Sequence, residues 1–162
     1  MSNYLNSVSE FHETFKAPIL EKPQIPSNDR CELRVSLLQE ELNELKQAIK
    51  DNDLVEIADA LADLQYVLSG AILEFGLKEK FNMLFDEVQR SNMSKACRSQ
   101  QEAIETLLYY KQKDGTEGRY EEVNGKYIVY RKGDNKVLKS IGYSPASLED
   151  IIKDDTNVAT IN

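Results

Sequence analysis

Histidine and cysteine are scarce in this chain of 162 residues and positive charge is outnumbered by negative, and each of these removes a class of chemistry. His12 is the only histidine, so neither a histidine-rich metal site nor a Ser-His-Asp arrangement is expected. Cys31 and Cys97 are the two cysteines; they lie far apart without Cys-x-x-Cys spacing, which suits reduced thiols better than a zinc site or a disulfide framework. Twenty Lys and Arg stand against 28 Asp and Glu, a net charge of −8 with a pI near 4.8. That balance argues against a nucleic-acid polymer or a membrane surface as partner. No apolar run approaches the roughly 18 residues of a membrane span, and the first 30 residues carry neither a basic leader nor an apolar stretch of signal type. The expected location is the cytoplasm. Internal repeats and low-complexity stretches are absent as well.

What is present is a concentration of acid. Residues 40 to 63 hold eight carboxylates (Glu40, Glu41, Glu44, Asp51, Asp53, Glu56, Asp59 and Asp63) against Lys46 and Lys50, a net of −6 out of the chain's −8. The apolar fraction of 41% and the charged fraction of 30% are those of one ordinary globular domain, here with an appendage.

Along the chain, Tyr4, Leu5, Val8, Phe11, His12 and Phe15 recur at helical spacing and predict a first helix over residues 3 to 16. Pro18, Pro23 and Pro26 forbid regular helix across 17 to 28 and favour an extended arm. Asn28 or Asp29 can cap a second helix running to about Lys50. In it Val35, Leu38, Leu42, Leu45 and Ile49 form a packing seam, and Leu37, Glu41, Glu44 and Ala48 a second line beside it. Asp51-Asn52-Asp53 is a short turn with Asp53 as cap, so a third helix, about 54 to 75, should return antiparallel and end at Gly76. That helix is apolar over nearly its whole circumference, which predicts burial; its acids form one stripe, Glu56, Asp59 and Asp63.

A fourth helix is expected over 78 to 90, followed by the polar turn Ser91-Asn92-Met93-Ser94-Lys95. A fifth runs from a Ser99–Glu102 capping box to about Lys111 with Ile104, Leu107 and Leu108 inward. Asn124-Gly125 between Arg119–Val123 and Lys126–Arg131 is a hairpin signal, and Lys136–Ile141 reads as a further short strand. Ser144-Pro145 opens a short helix through Leu148, Ile151 and Ile152, and the tail from Asp154 reads as loose. The fold class is therefore an all-α helical bundle over residues 1 to 111, with a β-hairpin, short helix and tail over 112 to 162.

An antiparallel pair of helices can bring Glu41 and Glu44 opposite Glu56 and Asp59. Four carboxylates facing one gap repel each other until a hard divalent cation fills it, and Mg²⁺, with Mn²⁺ as substitute, prefers such oxygen ligands. Buried carboxylates cost several kcal/mol each when uncompensated, so the acidic stripe on an otherwise apolar helix weighs most. The competing reading is an acidic solvated face. Asn92 and Lys95 can contact substrate phosphates or base, or simply form a helix-end turn with a surface lysine. For Tyr66 and Arg34, core packing and a surface ion pair are the expected roles, and for Met93 and Cys97 packing.

Glu40-Glu41-x-x-Glu44, then a short hairpin, then Glu56-x-x-Asp59, resembles the signature of the all-α nucleoside triphosphate pyrophosphohydrolases. These comprise the MazG-like and phosphoribosyl-ATP pyrophosphohydrolase-like superfamily, which includes dimeric dUTPases. Phe11-His12 before the Pro-rich arm, Ser91 to Lys95 and Lys139 to Pro145 resemble the MazG-like branch with dUTPase-type activity. The resemblance covers residues 5 to 98 and, loosely, 136 to 152. It implies Mg²⁺-dependent hydrolysis of a (deoxy)nucleoside triphosphate, dUTP or dCTP among the candidates, to the monophosphate and pyrophosphate. In that scheme Glu41, Glu44, Glu56 and Asp59 hold metal and Glu40 orients or deprotonates the attacking water. Asp63, in an Asp-Leu-x-Tyr context, is either a further metal ligand or a supporting group. A homodimer or dimer of dimers would bury the third helix. The alternatives are a phosphoribosyl-ATP pyrophosphohydrolase and a non-catalytic, metal-binding helical assembly module.

Overall fold

The computed structural model describes residues 3 to 153, so the predicted loose tail from Asp154 lies outside the described residues. Six helices and one two-stranded antiparallel sheet are formed, confirming the mainly helical class. The helices are α1 (Asn3–Phe15), α2 (Asn28–Asp51), α3 (Leu54–Glu74), α4 (Phe81–Met93), α5 (Gln100–Asp114) and α6 (Glu149–Lys153). The strands are β1 (Gly118–Val123) and β2 (Lys126–Arg131). The described chain divides into two compact units, residues 3 to 82 and 83 to 153.

In the first unit α2 and α3 form the expected hairpin, with α1 packed on α3. The turn works as its residues require. Asn52 takes the left-handed conformation at φ 55°, which asparagine tolerates, and Asp53 Oδ1 accepts from the backbone N–H groups of Val55 (3.0 Å) and Glu56 (3.2 Å). At the start of α2 the cap position falls on Ser27, without a side-chain bond, and not on Asn28 or Asp29, which are already helical. The α3 helix ends in a double bond pattern, Gly76 N to Leu73 O (3.1 Å) and Leu77 N to Ile72 O (3.0 Å), a Schellman closure. Gly76 has φ 67°, and a Cβ there would run into the Lys22 carbonyl of the proline arm. The arm is docked on that end: Leu20 N donates to Leu73 O at 3.1 Å and Gln24 N to Phe75 O at 3.2 Å.

Two burial expectations fail for the single chain. The line that faces inward on α2 contains Arg34 and Ala48, with Glu41 half-buried between them, whereas Val35, Leu42 and Ile49 of the predicted seam are exposed. On α3, Leu54 and Val55 are more than three-quarters exposed; burial is confined to Ala60 and the last turns. With α1, α2 and the proline arm packed against it, α3 still leaves part of its circumference uncovered.

In the second unit α5 packs on the hairpin around Cys97, Ala103, Val129 and Leu138. Ser99 Oγ accepts from Glu102 N at 3.2 Å as a cap, while Glu102 reaches back to Arg98 N at 2.8 Å. The inward face is Ala103, Thr106, Leu107 and Tyr110; Ile104 and Leu108 are exposed, contrary to expectation, because the bond from Thr106 Oγ1 to Glu102 O and its reception of Ile141 N turn that side inward. Asn124 (φ 51°) and Gly125 (φ 73°) make a two-residue turn that aligns Val123 with Lys126 and Gly118 with Arg131. Residues 136 to 141 form no third strand, only a bridge between Val137 and Tyr130. The α4 helix starts three residues later than predicted and carries Ser91, Asn92 and Met93 in its last turn; Met93 is exposed rather than packed.

Candidate metal and nucleotide site

The acids of α2 and α3 converge only in part. A cleft of about 390 Å³ is lined by Glu44, Gln47 and Asp51 from α2, the turn residue Asp53, and Glu56 and Asp59 from α3. Two of its acids are occupied by local structure, Asp53 as the α3 cap and Asp51 as acceptor of Gln47 Nε2 at 2.7 Å. Glu44, Glu56 and Asp59 are exposed within it.

Glu41 lies on the inward line of α2, next to this cleft. Its Oε2 is buried and has no hydrogen-bond partner. Loss of hydration pushes its carboxyl above the usual range, and the negative charges of Glu44, Asp63, Glu40 and Asp59 push it in the same direction. Asp63 therefore bears on Glu41 directly. Glu40 also acts on Glu41, but its side chain lines a different groove along α2 with Cys31, Glu32, Val35, Ser36, Gln39 and Asn43, about 700 Å³ in volume.

Among the described residues no three His, Cys, Asp or Glu side chains stand close enough together to hold an ion as they are placed. Exposed like charges on rotatable side chains separate when nothing positive lies between them. The fit to a divalent cation rests instead on the donor set and on Glu41. Oxygen ligands on facing helices suit Mg²⁺ or Mn²⁺, and a buried carboxylate oxygen with only negative neighbours lacks a positive partner.

The open end of the same hairpin shows a compensated buried acid. Glu74, which the sequence reading passed over, is 1% exposed and receives Arg30 Nε at 3.0 Å, together with guanidinium N–H groups of both Arg30 and Arg34. These arginines hold its carboxyl below the usual range despite burial. Arg34 is thus in a buried pair, not the surface pair expected. His12 bridges the arm to this cluster, its Nδ1 2.9 Å from Pro18 O and its Nε2 3.3 Å from an Arg34 nitrogen. The available signal was an acid two residues before Gly76 in a helix end otherwise apolar. Tyr66, expected in the core, is exposed, with its ring 5.6 Å from that of Phe11 on α1.

Asn92 and Lys95 belong to the second unit and meet each other: Lys95 Nζ donates to Asn92 Oδ1 at 2.7 Å. Among the described residues no helix is long and apolar enough to cross a membrane.

A protein of Acanthamoeba polyphaga mimivirus, named only as uncharacterized, is 24% identical to this chain, with 94% of this chain and 96% of that one covered. The pattern of one family, described as phosphoribosyl-ATP pyrophosphohydrolase, matches residues 8 to 92. That span contains the second half of α1, the proline arm, the α2–α3 hairpin with every acid of the cleft, and nearly all of α4. The chain belongs to the phosphoribosyl-ATP pyrophosphohydrolase family, within the MazG-like superfamily of nucleotide pyrophosphohydrolases.

Proposed function

We propose that this protein hydrolyses a (deoxy)nucleoside triphosphate to the monophosphate and pyrophosphate with Mg²⁺, or Mn²⁺, on the carboxylates of α2 and α3. The observation that carries the reading is the buried, unpartnered Oε2 of Glu41 beside Glu44, Asp59 and Asp63. Glu41, Glu44, Glu56 and Asp59 would hold the metal, with Asp63 acting on Glu41 as a further ligand or as a neighbour that keeps its charge uncompensated. When bound, the divalent cation neutralises phosphate oxygens and so lets a strongly acidic surface accept a polyanion.

The chain's own groups then divide the remaining tasks. Glu44, Glu56 and Asp59 are exposed on the cleft wall and could turn toward a common centre, where they would hold the cation against which the phosphates are positioned. Glu40 adjoins Glu41 in sequence and acts on its charge; as the general base it would take the proton of the attacking water. The exposed Val35, Leu42 and Ile49 of α2 and Leu54, Val55 and Leu61 of α3 support a homodimer or dimer of dimers, since burying each such side chain contributes roughly 1.5–3 kcal/mol.

The test is pyrophosphate release from a panel containing dUTP, dCTP, the other common triphosphates and phosphoribosyl-ATP. Turnover with Mg²⁺ that stops on chelation supports the proposal. Turnover of phosphoribosyl-ATP alone would move the assignment to the narrower activity in the family's name, and no release from any of them would leave the non-catalytic assembly module.

A further inference from the structure

The β-hairpin falls outside the family's span of residues 8 to 92, and its two edges differ. Along β2, Tyr127, Val129 and Arg131 turn their backbone groups away from β1. Tyr127 N donates to Cys97 O at 2.9 Å and Cys97 N to Tyr127 O at 2.8 Å; Leu138 N donates to Val129 O at 2.8 Å and Arg131 N to Lys136 O at 2.8 Å. That edge is covered. In an antiparallel ladder, the residues opposite these three also point their N–H and C=O groups outward. On β1 they are Glu122, Tyr120 and Gly118, and among the described residues no backbone group bonds to them on that side.

The side chains along this open edge are complementary to themselves. Gly118, Tyr120 and Glu122 share the face toward α5: a Cβ at Gly118 would meet Leu107 Cδ2 at 2.6 Å, and Gln100 Nε2 donates to the Tyr120 hydroxyl at 2.7 Å. Arg119 and Glu121 stand on the other face, exposed and ion-paired with each other. Arg119 is held there by the Tyr130 ring, whose centre is 4.9 Å from the guanidinium carbon, and by Asn135 Oδ1 at 3.1 Å. Charges along an edge normally keep other strands off. Their order here admits one partner, the same strand run antiparallel. With a two-fold axis at Tyr120, Arg119 faces the partner's Glu121 at the closely spaced, non-hydrogen-bonded positions, and Glu122 faces the partner's Gly118, which has no side chain to oppose it. An axis at Glu122 would set that acid against its own copy. An axis at Gly118 would need the N–H of Thr116, which is already given to Asp114 Oδ1 at 3.0 Å.

We propose that the open edge of β1 pairs with β1 of a second copy of this chain, joining two hairpins into one continuous antiparallel sheet. The contact is isologous, each copy giving the same strand. Backbone bonds of Gly118, Tyr120 and Glu122 supply the attraction, as in any strand added to a sheet edge. Arg119 and Glu121 of the two copies, alternating in sign around the axis, set the register and reject strands of other charge order. This surface is separate from the exposed apolar residues of α2 and α3, and the pairing does not rest on the metal or nucleotide reading.

The test is sedimentation velocity of the full chain over a dilution series. Wild type is expected to reach about twice the mass, or more, of Arg119→Glu, of Glu121→Arg and of Glu122→Pro, the last of which removes an outward N–H and no ladder bond to β2. Either charge variant alone gathers like charges around the axis. An equimolar mixture of Arg119→Glu and Glu121→Arg should recover the wild-type mass, because acid then faces base at every charged position; recovery also shows that both variants are folded. Charge variants that sediment as monomers and recover on mixing support the edge pairing and remove the bundle dimer; variants that sediment as dimers and recover support both. A wild type with the same mass as its charge variants, or a mixture that does not recover, overturns the proposal.

Discussion

Two carboxylates on the α2–α3 hairpin, Glu74 fully buried and Glu41 half-buried with one oxygen enclosed, face opposite circumstances. At its open end, Glu74 is enclosed by Arg30 and Arg34, and its carboxyl is held below the usual range. Toward the turn, Glu41 has a buried oxygen without a partner, and its neighbours are acids that push its carboxyl up. Burial opposes charge at both positions; only the sign of the surroundings differs. A fold that supplies two arginines to one acid and more acids to the other has one end whose buried charge is compensated and one end whose charge is not. The second unit repeats the structural pattern: Glu87, Glu102 and Asp134 all have donors and lowered pKa values, Glu87 at about 2.

The sharpest way to break this comparison is to remove one acid from each end. Glu44→Ala should reduce turnover by roughly a thousandfold or more while leaving far-ultraviolet circular dichroism unchanged, because it deletes a proposed metal ligand at an exposed position of the cleft wall. Full activity in that variant would show that the cleft is not the site. Glu74→Ala should act the other way, lowering stability by about 3 kcal/mol in denaturant titrations, because it leaves buried Arg34 uncompensated. A variant as stable as wild type would remove the structural role.

The smallest effect is the most diagnostic. Glu41 has a raised folded-state pKa, so its penalty is absent below the unfolded-state pKa and grows as pH rises through the interval up to the folded value. Glu41→Gln should therefore raise the metal-free melting temperature at neutral pH, by on the order of 2 °C, and the gain should vanish in acid. Thermal melts at both pH values, with chelator present, measure it; destabilisation at neutral pH would mean that Glu41 has a partner there.

Much of this was legible in the chain. Asn52 and Asp53 announce a turn and a cap, Gly76 a helix end, and Asn124-Gly125 a hairpin, because each depends on local backbone chemistry. The concentration of acid between Glu40 and Asp63 was equally visible. What was not legible depended on which face meets which neighbour. The strict seam of α2 looked like its packing face, yet Arg34, Glu41 and Ala48 lie on the inward line, because Glu74 on α3 recruits Arg34. Likewise Ile104 and Leu108 gave way to Ala103 and Thr106 once residues 138 to 141 closed over α5. Glu74 itself stood alone in sequence, 40 residues from the Arg34 that explains it.

The central claim is that the Glu41 end of the hairpin is completed by a divalent cation, and direct binding of Mn²⁺ followed by electron paramagnetic resonance, without nucleotide, tests it most directly. Saturable binding is predicted for the wild-type chain, competed by Mg²⁺, retained in Glu74→Gln if that variant is folded, and lost in Glu41→Ala. Binding that is absent from the wild type, or indifferent to Glu41, would contradict it.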